Sequence, residues 1–145
     1  MLDTCVYIDQ LQSRLPTEIE DRVLARSTFH SSLVLSELSF PFGRLDPADT
    51  RTETALDAIE DLISEIPDRR VLTPSPETKM RGAVLAGVMA RVLNYNEAQR
   101  KKVLMDAMVA AHATQENLLL ITRNVADYDR LSQLEKKLKV AFYRT

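Results

Sequence analysis

Apolar residues along the chain gather in short runs separated by longer stretches of helical spacing, and none of the short runs alternates cleanly with polar residues. Unbroken apolar runs suit strands covered on both faces, and their alternation with helical segments is the pattern of βαβ units around a parallel sheet. The runs predict strands at residues 1–4 (MLDT), 31–36 (SSLVLS), 69–73 (RRVLT), 118–122 (LLLIT) and 139–143 (KVAFY).

The intervening segments carry helix-start signals. Asp46 before Pro47, with Asp49 three residues on from Asp46, predicts an N-cap, a proline at the first helical position and an acid in the first turn. Leu56, Ile59, Leu62, Ile63 and Ile66 then keep one face apolar until Pro67 stops the helix. Ser75 and Pro76 repeat the device and open a helix through about Leu93, on which Met80, Val84, Val88 and Val92 fall four apart. Residues 96–115 (NEAQRKKVLMDAMVAAHATQ) favour helix throughout, as one helix or as two broken near Met105.

At 145 residues, 45% hydrophobic and 28% charged, with few glycines and no repeat, the chain reads as one globular domain spanning 1–145. No linker divides it. A net charge of -2 excludes a global positive field, so polyanion binding would rest on local runs such as Arg100, Lys101, Lys102 and Lys136, Lys137, Lys139, each equally readable as a solvated helix face. One cysteine excludes an internal disulfide and a CxxC site, and no apolar stretch approaches the roughly 20 residues that span a bilayer, so a cytoplasmic location without leader or membrane contact is expected.

Parallel α/β sheets form sites at the carboxyl ends of their strands. Asp3 ends the first predicted strand, Glu37 follows the second, and Asn124, with Asp127 three residues later, follows the fourth. Asp106 comes from a helix, where a rotation of about 100° per residue puts Val109, Ala110 and Ala113 on its face and points it inward. Singly, these residues read as a turn cap, a surface acid, a turn former and a helix cap. Together they predict an inward acidic cluster, which repels itself unless a cation is present. Oxygen-only ligands favour Mg²⁺ or Mn²⁺, and such an ion suits phosphodiester hydrolysis. A Cys5 nucleophile with His30 or His112 as base is the competing enzyme reading; His112 lies about 240° around the helix from Asp106, away from the acids.

These residues also resemble a known family, the PIN-domain nucleases, and within it the VapC-type toxins of bacterial toxin–antitoxin pairs. LDTCVYID is similar to the family's LDTNVLID; LVLSELSFPFG to its Ser-Glu strand end with a glycine soon after; DAMVAAHA to DALIAATA; and LLLITRNVADYDRL to LVTRNVRDFERL. The four motifs occur in family order from the first residues to about Leu131. The resemblance implies a three-layer α/β/α sandwich around a mainly parallel five-stranded sheet, usually dimeric, with an acidic pocket for Mg²⁺ or Mn²⁺. It implies endoribonuclease activity, often on structured RNA such as tRNA, held in check by a cognate antitoxin.

Residue by residue, Asp3, Glu37 and Asp106 match the three principal acids, Asn124 the fourth position and Asp127 the acid before the family's aromatic residue. Asp3 and Asp106 are then the main metal ligands, Glu37 positions water or a second ion, Asn124 orients a ligand, and Thr4 supports the turn. Arg100, Lys101 and Lys102 are candidate RNA contacts. Cys5 stands where the family usually has asparagine, and only two residues precede Asp3, which predicts a frayed strand edge or a start further upstream. A non-toxin PIN nuclease of RNA processing and a catalytically silent binding module are the alternatives.

Overall fold

The computed structural model describes residues 1–24 and 28–145. In chain order it contains α1 (Thr4–Leu11), α2 (Thr17–Leu24), β1 (His30–Ser31), α3 (Ser32–Arg44) and α4 (Thr50–Ser64). A 3₁₀ turn (Asp68–Arg70), β2 (Val71–Leu72), α5 (Pro76–Val92) and α6 (Glu97–Gln115) follow, then β3 (Leu119–Thr122), α7 (Val125–Leu134) and β4 (Lys139–Phe142). The chain is α/β and mainly helical. Among the described residues the strands form two parallel pairs, β1 with β2 and β3 with β4, rather than one five-stranded sheet.

The opening segment joins the second pair by a parallel bridge from Leu2 to Ile121. The Met1 nitrogen donates to Leu119 O (2.8 Å), Ile121 N to Met1 O and Asp3 N to Ile121 O (both 3.0 Å). The fraying alternative is therefore corrected: the opening residues are tied to β3 by these hydrogen bonds.

The strand predicted at 31–36 is also corrected. Only Ser31 is extended there; its hydroxyl accepts from Leu33 N (3.3 Å) and caps α3, so the apolar run LVL lies on a helix. A short apolar run cannot distinguish buried strand from buried helix, and here the cap decides. Val34 and Leu38 then face the core four residues apart, and Glu37 sits on a helix face rather than at a strand end.

The helix expected from Asp46 begins later. Asp46 makes a turn with Ala48 N (2.9 Å), and Asp49 is the cap, accepting from Arg51 N (2.9 Å). The Ser75 cap and Pro76 start of α5 are as expected, and residues 97–115 form one helix behind an Asn96–Gln99 capping box. Left-handed turns at Asn94 (φ 50°) and Asn117 (φ 54°) follow α5 and α6. At Asn117 the chain reverses into β3, with Leu118 N closing on Ala113 O (2.9 Å).

α5 packs on α6 through Gly82, Ala86 and Met89, against the small-residue face of α6. A β-carbon at Gly82 would lie 2.6 Å from Met108 Cα, so the backbones approach too closely for any side chain there. This seating leaves Met80, Val84 and Val92, on the opposite side of α5, more than half exposed. It also fixes α6 so that Val109, Ala110 and Ala113 are buried and Asp106 faces inward.

Candidate active site

Four segments meet at one cleft of about 390 Å³ lined by Asp3, Thr4, Cys5, Ile8, Glu37, Lys102, Asp106, Arg123 and Asn124. The residues come from the start of α1, the middle of α3, one face of α6 and the β3–α7 junction. The three acids predicted from sequence therefore share one cleft, although Glu37 reaches it from a helix.

Asp3 is the best-held of them. It caps α1, with Oδ1 accepting from Thr4 N (2.8 Å) and from the buried Tyr128 hydroxyl (3.3 Å). Its Oδ2 accepts from Thr122 Oγ1 (2.6 Å) and Cys5 Sγ (3.2 Å). Thr122 Oγ1 accepts in turn from Asn124 N (2.9 Å), so one hydroxyl sets both Asp3 and the α7 cap. These donors fix the carboxylate without supplying a positive charge.

Glu37 accepts a hydrogen bond from the Thr4 hydroxyl, which gives Thr4 a second task beside the turn. Burial raises the Glu37 carboxyl above its usual range; Thr4 and Lys102 oppose this and Asp3 adds to it. Asp106 is 8% exposed and is pushed up to about 8, first by burial and then by the charge of Asp3, with Lys102 the opposing influence. Its nearest donor is the Asn124 amide, with Nδ2 at 3.1 Å from Oδ2, whereas Lys102 Nζ stands at 4.0 Å. A group in this state is a carboxylate short of a cation.

Asn124 is a hinge between acids. Its Nδ2 also donates to Asp127 Oδ2 (3.0 Å), and its Oδ1 accepts from Asp127 N (3.4 Å) as the α7 cap. Asp127 lies beside the cleft rather than in its lining. Burial alone would raise its carboxyl, but hydrogen bonds from Lys102 (2.8 Å) and Asn124 hold it below the usual range. Of the three basic candidates only Lys102 lines the cleft; Arg100 Nε donates to Tyr95 O (2.8 Å) and Lys101 pairs with Glu97 (2.7 Å).

The competing nucleophile reading finds no support in the geometry. Burial and Asp3 push the Cys5 thiol up to about 11, away from thiolate, and it accepts from Arg123 N (3.2 Å). His112 is buried, with Nδ1 2.8 Å from Ser31 Oγ, and His30 Nδ1 lies 2.5 Å from Tyr7 OH. Both imidazoles are held neutral, near 4, chiefly by burial.

Sequence reasoning passed over Thr122, Asp9 and Arg123, and met Tyr128 only as the family's aromatic residue after Asp127. Asp9, inside the quoted LDTCVYID, is fully buried, accepts from Tyr143 OH (2.7 Å) and Arg14 (3.3 Å), and is ion-paired with Arg123 Nε (2.9 Å). An acid in an otherwise apolar turn of helix was the available sign; its partners lie up to 134 residues away.

The three acids suit a hard divalent cation: their donors are carboxylate oxygens, with a raised Asp106 that such a charge would return to its ionised form. Among the described residues, however, no three His, Cys, Asp or Glu side chains are drawn together closely enough to hold an ion by themselves. Water or substrate oxygens would have to complete the shell. No described helix is long and apolar enough to cross a membrane.

No family model matches the chain, and no curated protein matches it. Among solved structures it is similar to a chain of VapBC2 from Rickettsia felis bound to a DNA fragment from their promoter, with a TM-score of 0.69 and 18% identity over 99% of this chain and 98% of that one. It is similar to a chain of DNA-bound VapBC from Salmonella typhimurium, with a TM-score of 0.68 and 23% identity over 98% and 96% of the two chains. VapBC-1 from nontypeable Haemophilus influenzae gives a TM-score of 0.64 and 24% identity over 98% and 96%. The likeness runs over nearly the whole of each chain, so the fold is one shared with these chains of VapBC structures.

Proposed function

We propose that this chain is a Mg²⁺- or Mn²⁺-dependent endoribonuclease and the toxin of a toxin–antitoxin pair. The observation that carries the reading is the meeting of Asp3, Glu37, Asp106 and Asn124, brought from four motifs, in one cleft whose buried Asp106 has its nearest cation, Lys102, 4.0 Å away. An ion bound there lowers the pKa of water and stabilises charge on a phosphoryl oxygen. Asp3, fixed by four donors, and Asp106 hold it, directly or through water. Glu37, oriented by Thr4, would position the attacking water or a second ion. Asn124 orients Asp106, and Asp127 keeps Lys102 beside it.

The partners follow from the same reading: an RNA substrate, tRNA among the candidates, a cognate antitoxin, and a second copy of the chain. Likeness to chains solved in VapBC assemblies supports the antitoxin. The exposed apolar row Met80, Val84 and Val92 on α5 supports the homodimer. One observation favours a silent binding module instead: the acids are not gathered into a ready three-ligand group among the described residues.

Purified protein incubated with tRNA and with unstructured RNA in Mn²⁺ decides between them. Cleavage that disappears with EDTA and with Asp106→Asn is the expected result. Cleavage surviving both controls overturns the site, and absence of cleavage of any RNA favours the silent module. An adjacent small antitoxin gene separates the toxin from a nuclease of RNA processing.

A further inference from the structure

We propose that Arg123 is a phosphate-binding residue of the cleft, anchored at Nε by the buried Asp9 and offering its terminal nitrogens to a backbone phosphate of the RNA. The inference rests on the nuclease reading and adds a residue to it.

Arg123 follows the last residue of β3 and lines the cleft with the three acids. Its Nε is ion-paired with Asp9 Oδ2 at 2.9 Å, and the same oxygen accepts from Tyr143 OH at 2.7 Å. Asp9 is wholly buried and Tyr143 nearly so, which makes the anchor rigid. The side chain of Arg123 is nevertheless 40% exposed. Among the described residues its two terminal nitrogens have no hydrogen-bond partner, and two parallel N–H groups match a phosphate's oxygens.

Charge points the same way. A phosphodiester approaching Asp3, Glu37 and Asp106 meets repulsion, so the cleft needs a cation that is not consumed by those acids. Lys102 is engaged with Asp127 at 2.8 Å. Asp9 is shared by two guanidiniums, Arg123 and Arg14, so the group of three carries one net positive charge. The terminal nitrogens of Arg123 bring that charge to the cleft lining. A lysine could pair with Asp9 or with a phosphate, but its single ammonium could not do both in this geometry.

The test measures binding of a labelled single-stranded RNA in EDTA across a salt series, and cleavage of the same RNA in Mn²⁺. The proteins are the unsubstituted chain, Arg123→Ala, Arg123→Lys and Arg14→Ala. Arg123→Ala should weaken binding about 10-fold, make the log–log salt slope shallower by about 0.7 and raise KM. Arg14→Ala, which also removes a cation from Asp9, should bind RNA as the unsubstituted chain does. Unchanged binding and slope in folded Arg123→Ala overturns the proposal, as does an equal loss in Arg14→Ala, since the effect would then run through Asp9 alone. Should Arg123→Ala fail to fold, Arg123→Lys takes its place: weaker binding supports the proposal and full binding overturns it. If the unsubstituted chain neither binds nor cleaves RNA, the nuclease reading falls and this inference with it; cleavage unaffected by Arg123→Ala removes only the inference.

Discussion

Two buried aspartates, Asp9 on α1 and Asp106 on α6, are treated in opposite ways. Asp9 is 0% exposed and is met by two arginines and a tyrosine hydroxyl, all within 3.3 Å. Asp106 is 8% exposed, receives one neutral amide and has its nearest lysine nitrogen at 4.0 Å. A buried acid whose cations come with the fold joins parts of that fold, here α1 to the β3–α7 junction and the chain's last strand. One whose cation is missing is costly as it stands, and is retained where an external charge completes it. The contrast separates structural acid from site acid more sharply than exposure or sequence position does.

The largest expected effect is on chemistry. Asp106→Asn should lower RNA cleavage by at least about 100-fold, since it removes the carboxylate that a cation would use. Its resistance to urea should stay level or rise; a marked loss of stability would place Asp106 with Asp9 and dissolve the contrast.

Asp9→Asn should do the reverse to stability, lowering it by about 2 kcal/mol in urea unfolding because two guanidiniums lose their charge partner. A neutral or stabilised Asp9→Asn would mean that its partners hold nothing together.

Titration sharpens the comparison further. The Asp106 carboxyl is raised from 3.8 to about 8 by burial and by Asp3, so the unfolded chain releases this proton first. Its contribution to stability is greatest below pH 4 and is lost as pH rises to about 8. The stability of the unsubstituted chain minus that of Asp106→Asn should therefore fall by up to roughly 1.4 kcal/mol per pH unit across that window. Saturating Mn²⁺ should flatten the slope. His30 and His112, both lowered from 6.5 to about 4, impose the opposite slope between those values, and they cancel in the difference.

The smallest effect is expected at Asn124. Its Nδ2 donates to Asp106 and Asp127 together, so Asn124→Asp turns a shared donor into a third acceptor and should cost about 1 kcal/mol in metal-free protein. Thermal unfolding with and without Mn²⁺ measures it, and recovery in Mn²⁺ is the expected result.

Asp3, Glu37, Asp106 and Asn124 were legible in the sequence because each sits in a short motif and needs only its own neighbours to be noticed. The secondary structure carrying Glu37 was not, since LVL reads equally as strand or helix and the deciding groups were the Ser31 cap and the packing of Val34 and Leu38. The continuous sheet inferred from five apolar runs gave way to two short parallel pairs, as β1 and β2 contribute two residues each. Asp9, Arg123 and Tyr143 escaped notice for a different reason: their meaning lies in pairings across more than 100 residues, which no local spacing encodes.

One hydrogen bond, from Thr122 to Asp3, has a consequence for the protein's birth as well as its finished form. It joins positions 119 apart, and Tyr128 reaches the same carboxylate from 125 away. During synthesis the N-terminal acids emerge early but have no β3 beside them until Leu119–Thr122 have also left the ribosome. A polypeptide interrupted before Thr122 thus carries Asp3, Glu37 and Asp106 without a cleft to put them in, so the site exists only once β3 has been made.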